Sequence, residues 1–229
     1  MINTFKKWLK KRDVATWRTA VSAVRRDYTG KPLTEKHAGD DPFTLFDEWF
    51  EDIVKLSKFD PNAMVLSTCS DGQPTGRVVL LKGFDERGFV FFTNYDSAKA
   101  EELSENPKAS LTFNWPETFR QVRVEGVAEK VSDAESEAYF LSRPKESNYS
   151  ALASPQSKVI KSREELEKLL EDTKAAWKDK AQIERPDFWG GYRIKPKKIE
   201  FWQGRVNRLH DRIVFEKVNS KWKRYRLAP

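Results

Sequence analysis

The sequence predicts a mainly β, antiparallel fold with peripheral helices, its strands curling into a closed or partly closed barrel. Three observations carry that expectation. β-branched and aromatic runs recur through the middle of the chain as "AMVLSTCS", "GRVVLLKGF", "GFVFFTN", "ASLTFNW" and "RQVRVEGVAEKV". The last third resumes the pattern in "GGYRIKPKKIEFWQG", "DRIVFEKV" and "KWKRYRL". In "RQVRVEGVAEKV", Val122 and Val124 share a face with Gly126 and then Val127 breaks the phase. That slip predicts a bulge or bend near Gly126, which helps a sheet to curl.

Taken in order, the first thirty residues read as a basic helix, with Phe5, Trp8, Leu9, Trp17, Val21 and Val24 at roughly helical spacing. A peripheral helix is the favoured reading, with an organelle-targeting segment as the alternative. "DDPFTLFDEWFEDIVKL" predicts a second helix, Pro42 near its start and Phe43, Leu45, Phe46, Trp49 and Phe50 on one face. "GRVVLLKGF" and "GFVFFTN" are joined by the short hairpin loop "DERG". Strict alternation puts Arg77 and Lys82 on opposite faces, so serving one pocket from both requires a bend, or sites on either side of one strand. "TNYDSAKAEEL" is a strand running into a helix with Ser97 as N-cap and Lys99 in the first turn, a place where phosphate binds readily. Ser132 with Glu135 and Ser162 with Glu165 are capping boxes for two further helices.

Three segments carry candidate chemistry. In "YFLSRPKES", Tyr139 and Arg143 are four apart on one helix face, Pro144 ends the helix, and Ser147 lies just beyond. Phenol, guanidinium and hydroxyl together suit a phosphate, while an ordinary helix end with a C-terminal cation explains the same residues. Gln121, Arg123 and Glu125 share a strand face that is either the wet side of a sheet or, ranked lower, a stacking surface for single-stranded nucleic acid. "FWQGRVNRLHDR", taken as a strand, places Arg208, His210 and Arg212 on one face, with Leu209 and Asp211 on the other. Two cations flanking an imidazole make either a solvated basic strand or the wall of an anion pocket.

Composition narrows the classes. The chain has 229 residues, 38% hydrophobic and 34% charged, with fifteen Phe, eight Trp and six Tyr. No apolar run approaches a spanning length, and the opening "MINTFKKWLKKRD" lacks the continuous apolar core of a secretory signal. The single Cys69 forms no internal disulfide, which suits a reducing compartment, and a cytoplasmic location is expected. With one Cys and the separated His37 and His210, no metal site is expected. The net charge of +7 suits an anionic partner without choosing between nucleic acid and small phosphates.

Together, "RVVLLKGFDERGFVFFTNYDSAKA", "RQVRVEG", "YFLSRPKES", "PQS", "FWGGYR", "EFWQG" and "NRLHDR" closely resemble the pyridoxine (pyridoxamine) 5′-phosphate oxidase family, flavin enzymes of vitamin B6 metabolism. The resemblance runs from "RRDYTGKPL" to the terminal "RLAP". It implies an antiparallel, Greek-key split β-barrel and a homodimer with flavin mononucleotide (FMN) at the subunit interface. It divides the chain into residues 1–30, a basic extension and mobile segment, and residues 31–229, the FMN-binding oxidase domain. It assigns FMN contacts to Arg77, Val78, Val79, Leu80, Lys82, Phe92, Thr93 and Lys99, and to Gln121, Gln156, Ser157, Trp202 and Arg212. Substrate phosphate falls to Lys82, Tyr139, Arg143 and Ser147, and the pyridine ring to Arg208 and His210. Arg25 to Tyr28 resembles a mobile segment that closes over substrate.

The implied reaction oxidises C4′ of pyridoxamine or pyridoxine 5′-phosphate to pyridoxal 5′-phosphate, with O₂ as acceptor and H₂O₂ as by-product, plus ammonia from the amine. Arg208 is the candidate for positioning C4′ and stabilising developing charge, and His210 for orienting substrate rather than acting as an obligatory base. Two departures stand out. Ala98 replaces the arginine of the usual "SRK", and Tyr149-Ser150 replace the usual Ile-Gly, so an altered loop is expected before Gln156 and Ser157. The competing expectations are a flavin- or pyridoxal-phosphate-binding protein with little turnover, and a nucleic-acid-binding module.

Overall fold

The computed structural model describes residues 27–229; the expected N-terminal helix and Arg25 lie outside the described residues. A short helix α1 (Glu35–Ala38) precedes α2 (Pro42–Leu56). Asp41 caps α2 by accepting from the Phe43 and Thr44 N–H groups, and Pro42 occupies the first turn, where its missing donor costs nothing. The expected face is the buried one: Phe43, Leu45, Phe46, Trp49 and Ile53 point inward, with Phe50 partly covered. Phe46 is fully buried, its ring 4.8 Å from Phe84, 5.0 Å from Phe89 and 5.1 Å from Phe113. This aromatic knot plugs the sheet, and truncating such a ring costs about 3–5 kcal/mol.

Among the described residues nine strands form one antiparallel sheet: β1 (Ala63–Ser70), β2 (Gln73–Leu80), β3 (Gly83–Asp85), β4 (Gly88–Asn94), β5 (Lys108–Trp115), β6 (Arg120–Lys130), β7 (Trp189–Gln203), β8 (Asp211–Val218) and β9 (Lys221–Leu227). The main path runs β2-β1-β5-β6-β7-β4-β3, with β8 and β9 branching from β7. The path ends at β2 and β3 without joining them, so the sheet is curled and split, and the closed alternative does not hold.

The long β7 makes the split possible. Its first part pairs with β4, its last part pairs with β8, and β6 runs along its other edge. The β6–β7 register shifts between Glu125 and Gly126, where Gly126 faces Pro196. The bulge expected at Gly126 is therefore present. A proline without an N–H fits a site where the ladder is already broken, and a Cβ at Gly126 would overlap the Lys195 carbonyl.

Four helices lie outside the barrel core: α3 (Ala98–Glu105), α4 (Asp133–Ser142), α5 (Lys145–Ala153) and α6 (Arg163–Ala176). Ser132 and Ser162 cap α4 and α6 by accepting from the Glu135 and Glu165 N–H groups, as their spacing predicts. A second apolar cluster, Phe140, Tyr149, Ile183 and Trp189, ties α4 and α5 to the start of β7. No helix of the described residues is long and apolar enough to cross a membrane.

Three local expectations are corrected. "GRVVLLKGF" is not one strand, because pairing breaks between Leu80 and Gly83, and this supplies the bend that Lys82 needs. "FWQGRVNRLHDR" is not one strand either: β7 stops at Gln203, a 3₁₀ turn spans Val206–Arg208, and β8 begins at Asp211. Asn207 and Arg208 both have positive φ (55° and 61°), so Arg208 sits at a hairpin tip and shares no strand face with His210 and Arg212. Pro144 ends α4 but also opens α5, which places Ser147, Tyr149 and Ser150 on a helix where a loop was expected.

Candidate active site

The break after β2, the end of β4, the start of α3 and the α4–α5 corner enclose a cavity of about 710 Å³. From β2 come Val78, Val79 and Leu80, and Lys82 follows at the break, held by its N–H to the Val90 carbonyl (2.8 Å). Phe92 and Thr93 enter from β4, Lys99 from α3, and Gln156 from the segment after α5. Tyr139, Arg143 and Ser147 complete the wall. Eight of the thirteen expected cofactor residues, and all four expected phosphate residues, therefore face one space.

Arg143 is the best placed cation in this wall. It follows the last residue of α4 in an extended conformation, and its Nη2 donates to the Ser147 carbonyl at 2.9 Å. The guanidinium lies 4.6 Å from the centre of the Trp189 ring, while Nη1 is buried without a partner among the described residues. Burial pushes its pKa down, against the pull of Tyr139. A desolvated cation with an unused donor favours an anionic ligand. Tyr139 stacks on Phe92 at 4.0 Å, and Phe92 on Trp189 at 5.5 Å, so the phosphate corner has an aromatic floor.

Lys99 marks the other corner. Its ammonium donates to Thr93 Oγ1 (3.1 Å), Ser97 Oγ (3.1 Å) and Gln156 Oε1 (3.0 Å), all neutral acceptors. Burial lowers its pKa, with the neighbouring Arg77 adding to the effect and Glu102 opposing it. Ser97 occupies the N-cap position as expected, but its hydroxyl makes no cap bond and donates instead to the Asn94 carbonyl (2.7 Å).

Arg77 does not line this cavity. Its guanidinium bonds Thr68, Thr75 and Glu102, the last at 2.8 Å. Ser157 is also absent from the lining, exposed and in a left-handed conformation (φ 69°). The remaining expected residues gather elsewhere. Gln121 and Trp202 face each other across β6 and β7, and with Tyr28 and Phe119 they line a separate depression of about 330 Å³. His210 packs against Trp202 (4.6 Å) and edge-on to Tyr28 (5.4 Å). Arg212 pairs opposite Trp202 and is clamped by Glu200 through Nε (2.8 Å) and Nη2 (3.1 Å). Arg208 is exposed at the hairpin tip. The two groups of residues share no lining member.

His210 Nδ1 accepts the Arg205 backbone N–H at 3.1 Å, which leaves its proton on Nε2 in the neutral ring. Burial, and then the Arg208 charge, lower its pKa. Sequence reasoning missed Asn94, Ser150, Ala151, Ser154 and Trp189 in the cavity wall. The spacing of Ser147, Ser150, Ala151 and Ser154 is helical and was the available signal, obscured by reading that stretch as a loop.

Comparison with known proteins follows the same outline. The family model described as pyridoxamine 5′-phosphate oxidase matches residues 50–176, and that of the pyridoxine 5′-phosphate oxidase C-terminal dimerisation region matches residues 189–229. A pyridoxine/pyridoxamine 5′-phosphate oxidase of Pseudomonas paraeruginosa is 52% identical over 92% of this chain and 99% of its own length. One from Rubrobacter xylanophilus is 49% identical over 93% and 98%. Among solved structures, PhzG of Burkholderia lata, determined with tetrahydrophenazine-1-carboxylic acid, superposes with a TM-score of 0.81 at 29% identity, covering 88% of this chain and all of that one. An FMN-binding protein of Nostoc punctiforme gives 0.65 at 17% identity over 83% of this chain and all of its own, a likeness of fold. Sequence and fold agree: the chain belongs to the pyridoxamine 5′-phosphate oxidase family.

Proposed function

We propose that this chain oxidises pyridoxamine 5′-phosphate and pyridoxine 5′-phosphate to pyridoxal 5′-phosphate, with residues 31–229 as the oxidase domain. It is an oxidoreductase with FMN as its cofactor. The residues fit such a group: Lys99, with only neutral hydrogen-bond partners among the described residues, supplies a corner for its phosphate, the β2 residues 78–80 line the same cavity, and Arg143 leaves a separate corner for the substrate phosphate. The reading rests chiefly on the convergence of Lys82, Tyr139, Arg143 and Ser147 with Thr93, Lys99 and Gln156 in one cavity.

FMN, held by residues 78–80 with Thr93, Lys99 and Gln156, would supply the two-electron redox chemistry, hydride acceptance from C4′ and reoxidation by O₂ with two protons to H₂O₂. The amine substrate leaves as an imine that water hydrolyses to aldehyde and ammonia, while the alcohol gives the aldehyde directly by losing its hydroxyl proton. The protein supplies position and charge. Lys82, Tyr139, Arg143 and Ser147 hold the substrate phosphate, and the stack of Tyr139, Phe92 and Trp189 braces that corner. His210 offers an Nε2–H donor to the ring, and Arg208 stabilises charge developing near C4′.

Because the two groups of residues are separate within one chain, the reading requires a second copy. In the homodimer, Gln121, Trp202, Arg208, His210 and Arg212 of one subunit complete the cavity of the other; the match of residues 189–229 to a dimerisation region supports this. The test is oxygen uptake by purified protein on each substrate, with and without added FMN, while pyridoxal phosphate is followed. Uptake with stoichiometric product supports the reading, and a folded yellow protein that consumes no oxygen overturns it.

A further inference from the structure

Glu102 stands outside every role considered so far, yet it holds Arg77, an expected FMN-contact cation that does not line the cavity. Its Oε2 accepts from Thr68 Oγ1, from Thr75 Oγ1 (3.0 Å) and from Arg77 Nη2 (2.8 Å). Arg77 spends both terminal nitrogens on this cluster, with Nη1 on Thr68 and Nη2 shared between Thr75 and Glu102. The side chains are only 23% and 16% exposed, so water screens the pair weakly. Burial favours protonating Glu102, but the bonds from Thr68, Thr75 and Arg77 outweigh it and hold the carboxyl below its usual value. The carboxylate therefore stays charged at neutral pH.

Arg77 and Glu102 both act electrostatically on Lys99, in opposite directions, which places all three charges in one local field. Lys99 itself makes no ion pair among the described residues, and the carboxylate that pairs with Arg77 is also the one that acts on Lys99. Ala98 opens α3 beside Lys99 and contributes no charge.

We propose that Glu102 is a built-in competitor for the cofactor phosphate. By engaging Arg77 and adding a fixed negative charge beside it, it weakens the hold on FMN. This rests on the FMN reading above and concerns the phosphate end of the cofactor alone. A phosphate arriving at Lys99 meets one cation held only by neutral acceptors, one cation already engaged by a carboxylate, and that fixed carboxylate. Removing the carboxylate's charge frees Arg77 and raises the local potential, while a glutamine still accepts from Thr68 and Thr75.

The test is fluorescence titration of apoprotein with FMN and, separately, with riboflavin, which lacks the phosphate. For Glu102→Gln the expected result is FMN binding about tenfold tighter than in the unmodified chain, with riboflavin binding unchanged. Equal or weaker FMN binding overturns the proposal, the latter showing that Glu102 orients Arg77 productively. An equal change for FMN and riboflavin also overturns it, because the effect then does not act through phosphate. If Glu102→Gln does not fold, Glu102→Asp withdraws the carboxylate by one methylene and is expected to tighten FMN about threefold, and no change overturns the idea. An unmodified apoprotein that binds neither flavin sinks the cofactor reading itself, a result distinct from any of these.

Discussion

The backbone N–H of Arg205 donates to Nδ1 of His210 at 3.1 Å, and this one bond determines which face of the imidazole can act on a ligand. With Nδ1 engaged, the neutral ring presents Nε2–H as a donor and has no free acceptor. Arg205 is fixed in turn by its side chain, which reaches the Gly30 carbonyl and lies 3.5 Å from Asp211. Asp211 also accepts from the Leu33 N–H (3.1 Å) and from Arg226 (2.7 Å), so the hairpin, the N-terminal segment and β9 are tied at one carboxylate.

His210 is accordingly expected to titrate below the ordinary imidazole value, burial being the larger cause and Arg208 the second. Its pKa is depressed, so the neutral donor form persists as pH falls through 6.5 and is lost only at lower pH. An NMR titration of the His210 ring protons checks this. Arg208→Met is expected to move the midpoint upward, though not fully to the ordinary value, because burial remains. A midpoint unmoved by that substitution would contradict the charge coupling.

Arg143→Lys keeps the charge but loses the fork that spans the Ser147 carbonyl and the Trp189 face. Losing a charge-assisted contact to phosphate costs about 1.5–3 kcal/mol, so KM for the phosphorylated substrate should rise roughly 10- to 100-fold. FMN affinity should be unaffected. Steady-state kinetics beside a flavin titration separates the two effects.

Ala98→Arg adds a cation at the exposed first position of α3, next to Lys99. FMN is expected to bind roughly tenfold to a hundredfold tighter, from the same size of charge-assisted bond. Equal affinity in a side-by-side titration would show that other basic residues already do this work.

Gly204 lies under Tyr28, where an added Cβ would come within 2.6 Å of the ring. Gly204→Ala should lift the 27–30 segment away from Trp202 and His210 at a cost of about 1–3 kcal/mol. Thermal unfolding reads the loss of stability, and the fluorescence of Trp202, whose ring lies against Tyr28, should change with it. An unchanged Tm with unchanged fluorescence would show that the segment yields freely.

Much of the fold was legible because its signals are local. The α2 face, the serine caps of α4 and α6 and the phase slip at Gly126 each follow from periodicity or from one side chain meeting one backbone group. The errors came where the chain turns. Alternation treated "FWQGRVNRLHDR" as one strand, yet Asn207 and Arg208 take positive φ without a glycine to announce it. Pro144 was read only as a stop, although proline also suits a helix start. The candidate site residues came from ordered motifs, but pattern alone could not tell that Arg77 would turn toward Glu102, because that contact joins β2 to α3 across 25 positions.

The long strand β7 carries one further consequence. Trp189 at its beginning stands in the cavity, and Trp202 near its end stands in the other group, with thirteen residue steps between them. At about 3.3 Å per step the strand runs roughly 40 Å along its own length, past the register shift where Pro196 faces Gly126. No side chain reaches that far, so under the proposed pairing the catalytic sites come two at a time. Defects at opposite ends of the strand should then complement each other: a subunit disabled at Arg143 mixed with one disabled at His210 rebuilds one intact site per hybrid pair.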